Sequence, residues 1–412
     1  MRGGEKVLEA ICALYPDADL FTLVRVPGSV SQAIESHPIR ASALTWVPGV
    51  RHLYRHFLPL FPALVESFDL DTYDVVISSS HCAVKSVIRP GRAVHICYCH
   101  SPMRYGWDQF NAYFGQDQVG RLPHAVLRRV LAHLARWDAA TSARVDAYVA
   151  NSQYVAGRIR RYYNRGSTVV YPPVDTEFYR LPEEPVRRGP LDTGGGGRPS
   201  SSFLVVSALV PYKKVDVAIA ACRRVGAALK IVGRGPQLPR LQQAADARVE
   251  FLGWRSDEEI RTLYQRATAV LLPGIEDFGM VPVEAQACGC PVVALGKGGA
   301  TETVVDGRTG VLVPEDSAEA FTRGLERVSE LQPDPVAIRQ HALRFSRDRF
   351  LTEFRNIVDR TIESTRHDAR RGARTRGSGP AAPHDSRKRD SLPSPPQDTR
   401  RREYRPPART RK

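Results

Sequence analysis

The stretch Gly274-Ile275-Glu276-Asp277-Phe278-Gly279-Met280-Val281-Pro282-Val283-Glu284-Ala285 constrains this chain most. It lies between the apolar runs 269–272 and 291–295, so the local order is strand, loop, helix, strand. Pro282 suits a first helical turn, where its missing N–H costs nothing. The free amides of Gly279, Met280 and Val281 would then face an anion, helped by the helix dipole. Glu276 and Glu284, eight positions apart, set two carboxylates around that cradle. Amides for a diphosphate beside carboxylates for hydroxyls are what a sugar nucleotide requires.

The same alternation recurs along the chain. A helix over 5–14 precedes apolar strands at 19–24, 73–78 and 93–97, a helix over 122–140 and a strand at 147–150. Ser152 can cap a helix running to Arg161, and 168–171 closes this half before Pro172-Pro173. A second series begins at 203–206, continues through helix 214–225 and strand 229–232, and turns at Gly233-Arg234-Gly235-Pro236. Strands at 249–252 and 310–313 complete it. Such a pattern predicts an α/β protein with parallel sheets. The expected divisions are a first Rossmann-like domain over 1–180, a flexible linker over 181–202, and a second domain over 203–345. A helix over 346–365 returns to the first domain, and a disordered basic tail occupies 366–412.

That tail decides how the charge is interpreted. The formal net charge is +15, but residues 366–412 hold 15 Lys/Arg against 5 Asp/Glu, a net +10, which leaves +5 for the first 365 residues. The mildly basic body carries no nucleic-acid recognition module, so specific nucleic-acid binding is not expected. Seven cysteines, an odd number set mostly in apolar runs, suggest reduced core thiols and a cytoplasmic setting. Cys97-Tyr98-Cys99-His100 has no second Cys pair at zinc spacing, so no metal is expected there.

Further motifs stand in a fixed order: Gly3-Gly4-Glu5-Lys6-Val7-Leu8, Tyr98-Cys99-His100-Ser101-Pro102-Met103-Arg104-Tyr105, Asn151-Ser152, Tyr171-Pro172-Pro173-Val174-Asp175, Val210-Pro211-Tyr212-Lys213-Lys214 and Gly298-Gly299-Ala300-Thr301-Glu302. With the Glu276/Glu284 segment they resemble the retaining glycosyltransferases of family 4, and within it the mannosyltransferase-like branch of bacterial surface-polysaccharide enzymes. The resemblance covers Arg2 to about Ile357 and implies the GT-B architecture, two facing Rossmann-like domains. Family members open with a β-strand before the glycine turn that is Gly3-Gly4 here. The first strand of the amino-terminal sheet is therefore expected to be missing, with a start upstream of Met1.

The resemblance also implies roles. Glu276 would meet hydroxyls of the donor sugar, and Glu284 the ribose hydroxyls. Lys213 would meet the donor diphosphate and stabilise charge on the departing phosphate. His100 would polarise sugar or acceptor in the cleft. Gly3, Gly4, Gly233, Gly235, Gly253, Phe278, Gly279, Met280 and Val281 would line the donor site, with Gly253-Trp254 near the base. Many relatives carry an Arg where this chain has Ala208; either this branch uses one fewer cation, or Lys214 or Arg234 compensates. Arg104 and Trp107 would face the acceptor. Asp17-Ala18-Asp19 spells a metal-binding pattern of another fold, out of its context, and no metal or other cofactor is expected.

The segment 44–68 predicts a basic helix bordered by aromatics, with Arg51 and Arg55 four apart, suited to an anionic membrane surface. The acceptor implied by the resemblance is a glycan, or one linked to a polyprenyl diphosphate at the inner face of the cytoplasmic membrane. The first choice of reaction is hexose transfer, with mannose from GDP-mannose. A UDP-sugar donor is the alternative, ahead of a sugar-nucleotide 2-epimerase.

Overall fold

Short runs rich in valine, isoleucine and leucine supply the strands of this protein. The computed structural model describes residues 3–107, 121–184, 202–331 and 333–376. Most of the expected linker and the tail beyond Arg376 lie outside the described residues. Residues 1–366 form one compact unit and 367–412 another. The first lobe holds β1 (Leu20–Thr22), β2 (Ile39–Ala41), β3 (Val75–Ser80), β4 (Val94–Cys99), β5 (Ala147–Ala150) and β6 (Thr168–Val169). The second holds β7 (Ser202–Val206), β8 (Ala228–Val232), β9 (Val249–Gly253), β10 (Val270–Leu272), β11 (Val292–Leu295) and β12 (Gly310–Val313). Every pairing is parallel. Two Rossmann-like lobes result, as expected for GT-B.

Strand order locates the site. In the second lobe it is β12-β11-β10-β7-β8-β9. The chain builds outward from β7 through β8 to β9, then returns to add β10 on the other side of β7. The crevice at that reversal, beyond the carboxyl ends of β7 and β10, is where open parallel sheets bind ligands. The loops leaving those two strands carry Lys213 and Glu276.

Both faces of this sheet are covered, as a parallel sheet requires. Phe203, Val205, Ile231 and Val293 pack with Ile219, Cys222, Phe321 and Leu325 of the helices Val215–Arg224 and Ala318–Leu331. Leu204, Val270, Val292 and Ala294 face the other way, onto Val283 and Ala287 of the helix Met280–Ala287. The first lobe is different. Its strands fall into β1-β2 and β3-β4-β5-β6, with no strand joining the two sets among the described residues, in keeping with an interrupted first sheet.

The helix Arg347–Arg376 lies late in sequence yet covers the first lobe, and it runs past the expected boundary at 366. Phe350, Phe354 and Val358, at helical spacing, pack on Val7, Ile11, Val94, Ile96 and Tyr98. Burying such side chains stabilises by roughly 1.5–3 kcal/mol each. The segment 44–68 is not one helix. It is broken into Ala43–Trp46, Val50–Leu53, Tyr54–Leu60 and Phe61–Glu66. Pro48, Pro59 and Pro62 lack the N–H of a continuous helix, and Gly49 takes φ +74°. Leu44, Leu58, Phe61 and Val65 point inward, while Trp46, Leu53 and Leu60 stay exposed. The side chains of Arg51 and Arg55 lie outside the described residues. All seven cysteines are buried.

A buried ion pair fastens the first lobe together. Lys85 Nζ lies 3.0 Å from Asp138 Oδ1, and the two side chains are 1% and 0% exposed. Tyr163 Oη and Trp107 Nε1 donate to Asp138 Oδ2 at 2.8 and 2.9 Å, and Lys85 also donates to the Asp138 carbonyl at 2.6 Å. The network ties the turn after β3 to the helix Arg121–Ala140 and to Arg104–Trp107. Lys85→Met would strand a buried carboxylate, so it should cost about 3–5 kcal/mol. Urea unfolding of the two proteins checks this, and a loss below about 1 kcal/mol would mean that water reaches Asp138.

Candidate functional site

Lys213 closes the turn Pro211–Lys213 after β7, and its ammonium pairs with the Glu276 carboxylate that follows β10. Glu276 is buried. Gly279, at φ +87°, turns the chain into the helix Met280–Ala287, a backbone that favours glycine. The first-turn amides of Met280 and Val281 have no acceptor within that helix. Gly298 and Gly299 support the loop from beneath. The Gly299 N–H donates to the Glu276 carbonyl at 2.8 Å, and a Cβ on either glycine would collide with backbone of Glu276 or Phe278. The Phe278 ring is buried against Tyr171 and Phe345. It anchors the loop from inside, so only its backbone is placed to face a ligand.

One turn further, Glu284 is buried with both oxygens engaged. Tyr264 Oη donates to Oε2 at 3.2 Å, and Lys6 of the first lobe donates to Oε1 at 3.1 Å. Lys6 belongs to the Gly3–Leu8 motif, whose spacing alone assigns it no role. Its helix, Gly3–Leu14, begins against the site: a Cβ on Gly3 would lie 2.9 Å from Met280 Sδ, and one on Gly4 3.6 Å from His100 Nε2.

His100 directly follows β4 on the first-lobe side. Ser79 Oγ lies 2.8 Å from its Nε2, and Tyr98 packs edge-on against the ring. Burial, then the charges of His81 and Arg104, push its pKa down to about 3, so the imidazole is neutral. The only sign of Ser79 in the sequence is the polar run Ser78-Ser79-Ser80 at a strand end.

Arg104 reaches across to the second lobe. Its Nε donates to Asp277 Oδ2 at 2.9 Å, and Nη2 bonds the same oxygen. Burial disfavours its charge, but Asp277 outweighs this and holds the pKa above the ordinary value. Ser152 Oγ donates to the Asp277 carbonyl at 2.6 Å, and Asn151 Nδ2 to the His100 carbonyl at 3.0 Å. Glu302 accepts the N–H groups of Gln153 and Tyr154 at 2.7 and 2.9 Å, at the start of the helix Gln153–Tyr163. The Asn-Ser and Gly-Gly-Ala-Thr-Glu motifs thus meet each other across the lobes.

Other candidates lie differently. Trp107 stacks on Tyr162 and bonds Asp138 within its own lobe. Lys214 pairs with Asp316 at 3.3 Å. Gly233 and Gly235 pack on the carbonyls of Ser207 and Leu209, and Gly253 ends β9 at φ +68° beside the exposed Trp254. Asp19 accepts from Tyr73 and pairs with Arg40 at 3.1 Å. No cluster of three or more metal-ligating side chains occurs among the described residues.

The model of the family described as Glycosyltransferase Family 4 matches residues 3–178, and that of Glycosyl transferases group 1 matches 199–345. One covers each lobe. The first lobe thus matches Glycosyltransferase Family 4 and the second matches Glycosyl transferases group 1, and together the two matches span most of the chain. D-inositol 3-phosphate glycosyltransferases of Mycobacterium bovis (strain BCG / Pasteur 1173P2) and Mycobacterium tuberculosis (strain ATCC 25177 / H37Ra) are 32% identical over 214 residues, covering 46% of this chain and 44% of theirs. The match therefore spans less than half of those curated relatives. Among solved structures, Anabaena Alr3699/HepE in complex with UDP and glucose aligns at TM-score 0.61 and 20% identity, over 87% of this chain and 96% of that one. Sucrose-phosphate synthase from Thermosynechococcus elongatus aligns at TM-score 0.62 and 18% identity, over 86% and 92%. Both share the fold over most of this chain.

One strand of the first lobe carries a pH dependence. His95 on β4 is fully buried, with Nε2 2.9 Å from Ser78 Oγ and Nδ1 3.1 Å from the Arg144 carbonyl. Burial pushes its pKa down to about 4, against about 6.5 in the unfolded chain. Between those values the unfolded state binds the extra proton, so stability falls as pH falls from about 6.5 toward 4, by up to about 1.4 kcal/mol per unit. Urea midpoints for wild type and His95→Gln across that window should show a shallower acid slope in the variant.

Proposed function

We propose that this protein is a retaining glycosyltransferase that moves a hexose from a nucleotide diphosphate sugar to a hydroxyl of a glycan or lipid-linked glycan. The observation that carries this reading is the convergence at the switch point. Two buried carboxylates, Glu276 and Glu284, flank the first turn of the helix Met280–Ala287, with Lys213 beside them and His100 presented from the opposite lobe.

The chemistry follows from the groups present. The amides of Met280 and Val281 and the ammonium of Lys213 stabilise the charge that grows on the leaving diphosphate. Lys213 now rests on Glu276; a phosphate would share it and free the carboxylate for sugar hydroxyls. Glu284 receives the ribose hydroxyls. The bond from the anomeric carbon to the phosphate oxygen breaks, and its electron pair leaves with the diphosphate. The acceptor oxygen attacks on the same face, and its proton passes to the departing phosphate oxygen. His100, neutral throughout, hydrogen-bonds sugar or acceptor rather than supplying charge. No step calls for a metal.

A UDP-sugar is the preferred donor, ahead of GDP-mannose. The support is that Alr3699/HepE, which shares the fold over most of this chain, has been solved with UDP-glucose. An outer-core lipopolysaccharide galactosyltransferase, WaaB, also shares the fold, at TM-score 0.57 and 18% identity. No helix among the described residues is long and apolar enough to cross a membrane. The exposed Trp46, Leu53 and Leu60 support contact with a membrane surface, where a lipid-linked acceptor would lie.

Radiolabelled UDP-glucose, UDP-galactose and GDP-mannose, incubated with the protein and bacterial lipid extract, test the reading. Label should pass from a UDP-sugar into the lipid phase, with or without EDTA. Transfer from GDP-mannose alone would reverse the donor choice, and activity lost in EDTA and restored by Mg²⁺ would reject metal independence. Glu276→Gln should lower kcat, and Glu284→Gln should chiefly weaken donor binding. Loss of one charge-assisted contact corresponds to roughly 1.5–3 kcal/mol, or about tenfold to a hundredfold. Steady-state kinetics separate the two effects; full transfer by both variants at low donor would sink the assignment.

A further inference from the structure

We propose that Lys6 is a latch across the donor cleft, holding Glu284 while the site is empty and giving it up when a nucleotide binds. The inference rests on the reading of Glu284 as the carboxylate that meets ribose hydroxyls. It adds a residue of the opposite lobe that competes for that carboxylate.

Lys6 stands in the first turn of the helix Gly3–Leu14. Its Nζ lies 3.1 Å from Glu284 Oε1, 3.6 Å from Asp257 Oδ2 and 3.4 Å from Tyr179 Oη, and 5.3 Å from the centre of the Tyr179 ring. Burial works against the ammonium, but Glu284 and then Asp257 outweigh it and hold its pKa above the ordinary lysine value. The group is therefore charged wherever the enzyme operates, and the contact is an ion pair.

Each Glu284 oxygen already accepts one donor, so a ribose hydroxyl arriving at Oε1 must share that oxygen with the Lys6 ammonium or displace it. Tyr264 is the partner that stays. It is fully buried in the same lobe, on the helix Asp257–Arg266 that packs beside Met280–Ala287. Lys6 is the partner that can leave. Asp257 is half exposed and lies within reach, so the ammonium can shift to it without being stranded. A lysine head carries three rotatable donors on a flexible stem, which makes such a change of partner inexpensive.

The latch also has a mechanical side. It pins the turn that sets Gly3 on Met280 and Gly4 on the His100 ring. With Lys6 on Glu284, the opening over the helix amides is held by the first lobe. With Lys6 on Asp257, Glu284 is free while the same turn remains tethered to the second lobe. Lys6 is thus a positioning residue that couples nucleotide binding to the placement of the glycine turn.

The test depends on a sign. A lysine that simply binds phosphate would lose nucleotide affinity on removal, whereas removal of a competitor raises it. Lys6→Met keeps the stem and deletes the charge. Titration calorimetry of the full chain with UDP and with GDP should show tighter binding by the variant, by up to about fivefold, together with a lower kcat because the turn is no longer tethered. Lys6→Arg should restore kcat. Asp257→Asn removes the alternative seat of the ammonium and should weaken nucleotide binding, which keeps the test decisive if Lys6→Met proves unstable. Nucleotide affinity that is unchanged or reduced in Lys6→Met, or unchanged in Asp257→Asn, overturns the latch alone. Wild-type protein that binds neither nucleotide overturns the donor reading and the latch with it.

Discussion

Asp277 is held by the opposite lobe at two points, and the geometry of the cleft depends on that joint. Its carboxylate receives Arg104 and its carbonyl receives the Ser152 hydroxyl. Glu276, the adjacent residue, is thereby set against the lobe that carries His100. Neither contact adds a large energy. A charge-assisted hydrogen bond contributes roughly 1.5–3 kcal/mol and a neutral one about 1 kcal/mol. Their value lies in direction, because each fixes one end of a single residue beside the reacting position. The Glu302 carboxylate on the helix Gln153–Tyr163 adds a second joint of the same kind, using a helix N-terminus as the receptor for charge.

The charges of the site balance one another. Glu276 has Lys213, Asp277 has Arg104, and Glu284 has Lys6. Buried carboxylates left without partners would be costly, so a pocket built to bind hydroxyls needs stand-ins until they arrive. Two of the three cations come from the first lobe. The same residues that neutralise the pocket therefore report on how the lobes meet.

Much of this organisation was legible in the sequence. Parallel strands follow from short β-branched runs, and the cradle follows from Gly279 and Pro282 flanking a helix start. The Ser152 cap is present, with its Oγ accepting the Val155 N–H at 3.0 Å. The failures have physical causes as well. The segment 44–68 has apolar and basic residues at helical spacing, but three prolines and a left-handed glycine break it into short turns. Trp107 follows His100 in sequence, yet its indole N–H finds a buried carboxylate that only the fold brings near. Phe278 lies in the binding segment, but its ring is drawn into an aromatic cluster with Tyr171 and Phe345.

Local sequence by itself determined the elements, the turn that opens the amide cradle and the two carboxylates beside it. These depend on backbone geometry and on neighbours a few positions apart. The tertiary structure alone decided which charges face one another. Lys6 and Glu284 are 278 positions apart, and Arg104 and Asp277 are 173 apart. Each pair meets only because strand order and lobe packing bring two surfaces together. Spacing along the chain carries no record of such a meeting, since an ion pair across a cleft requires only opposite charge and proximity.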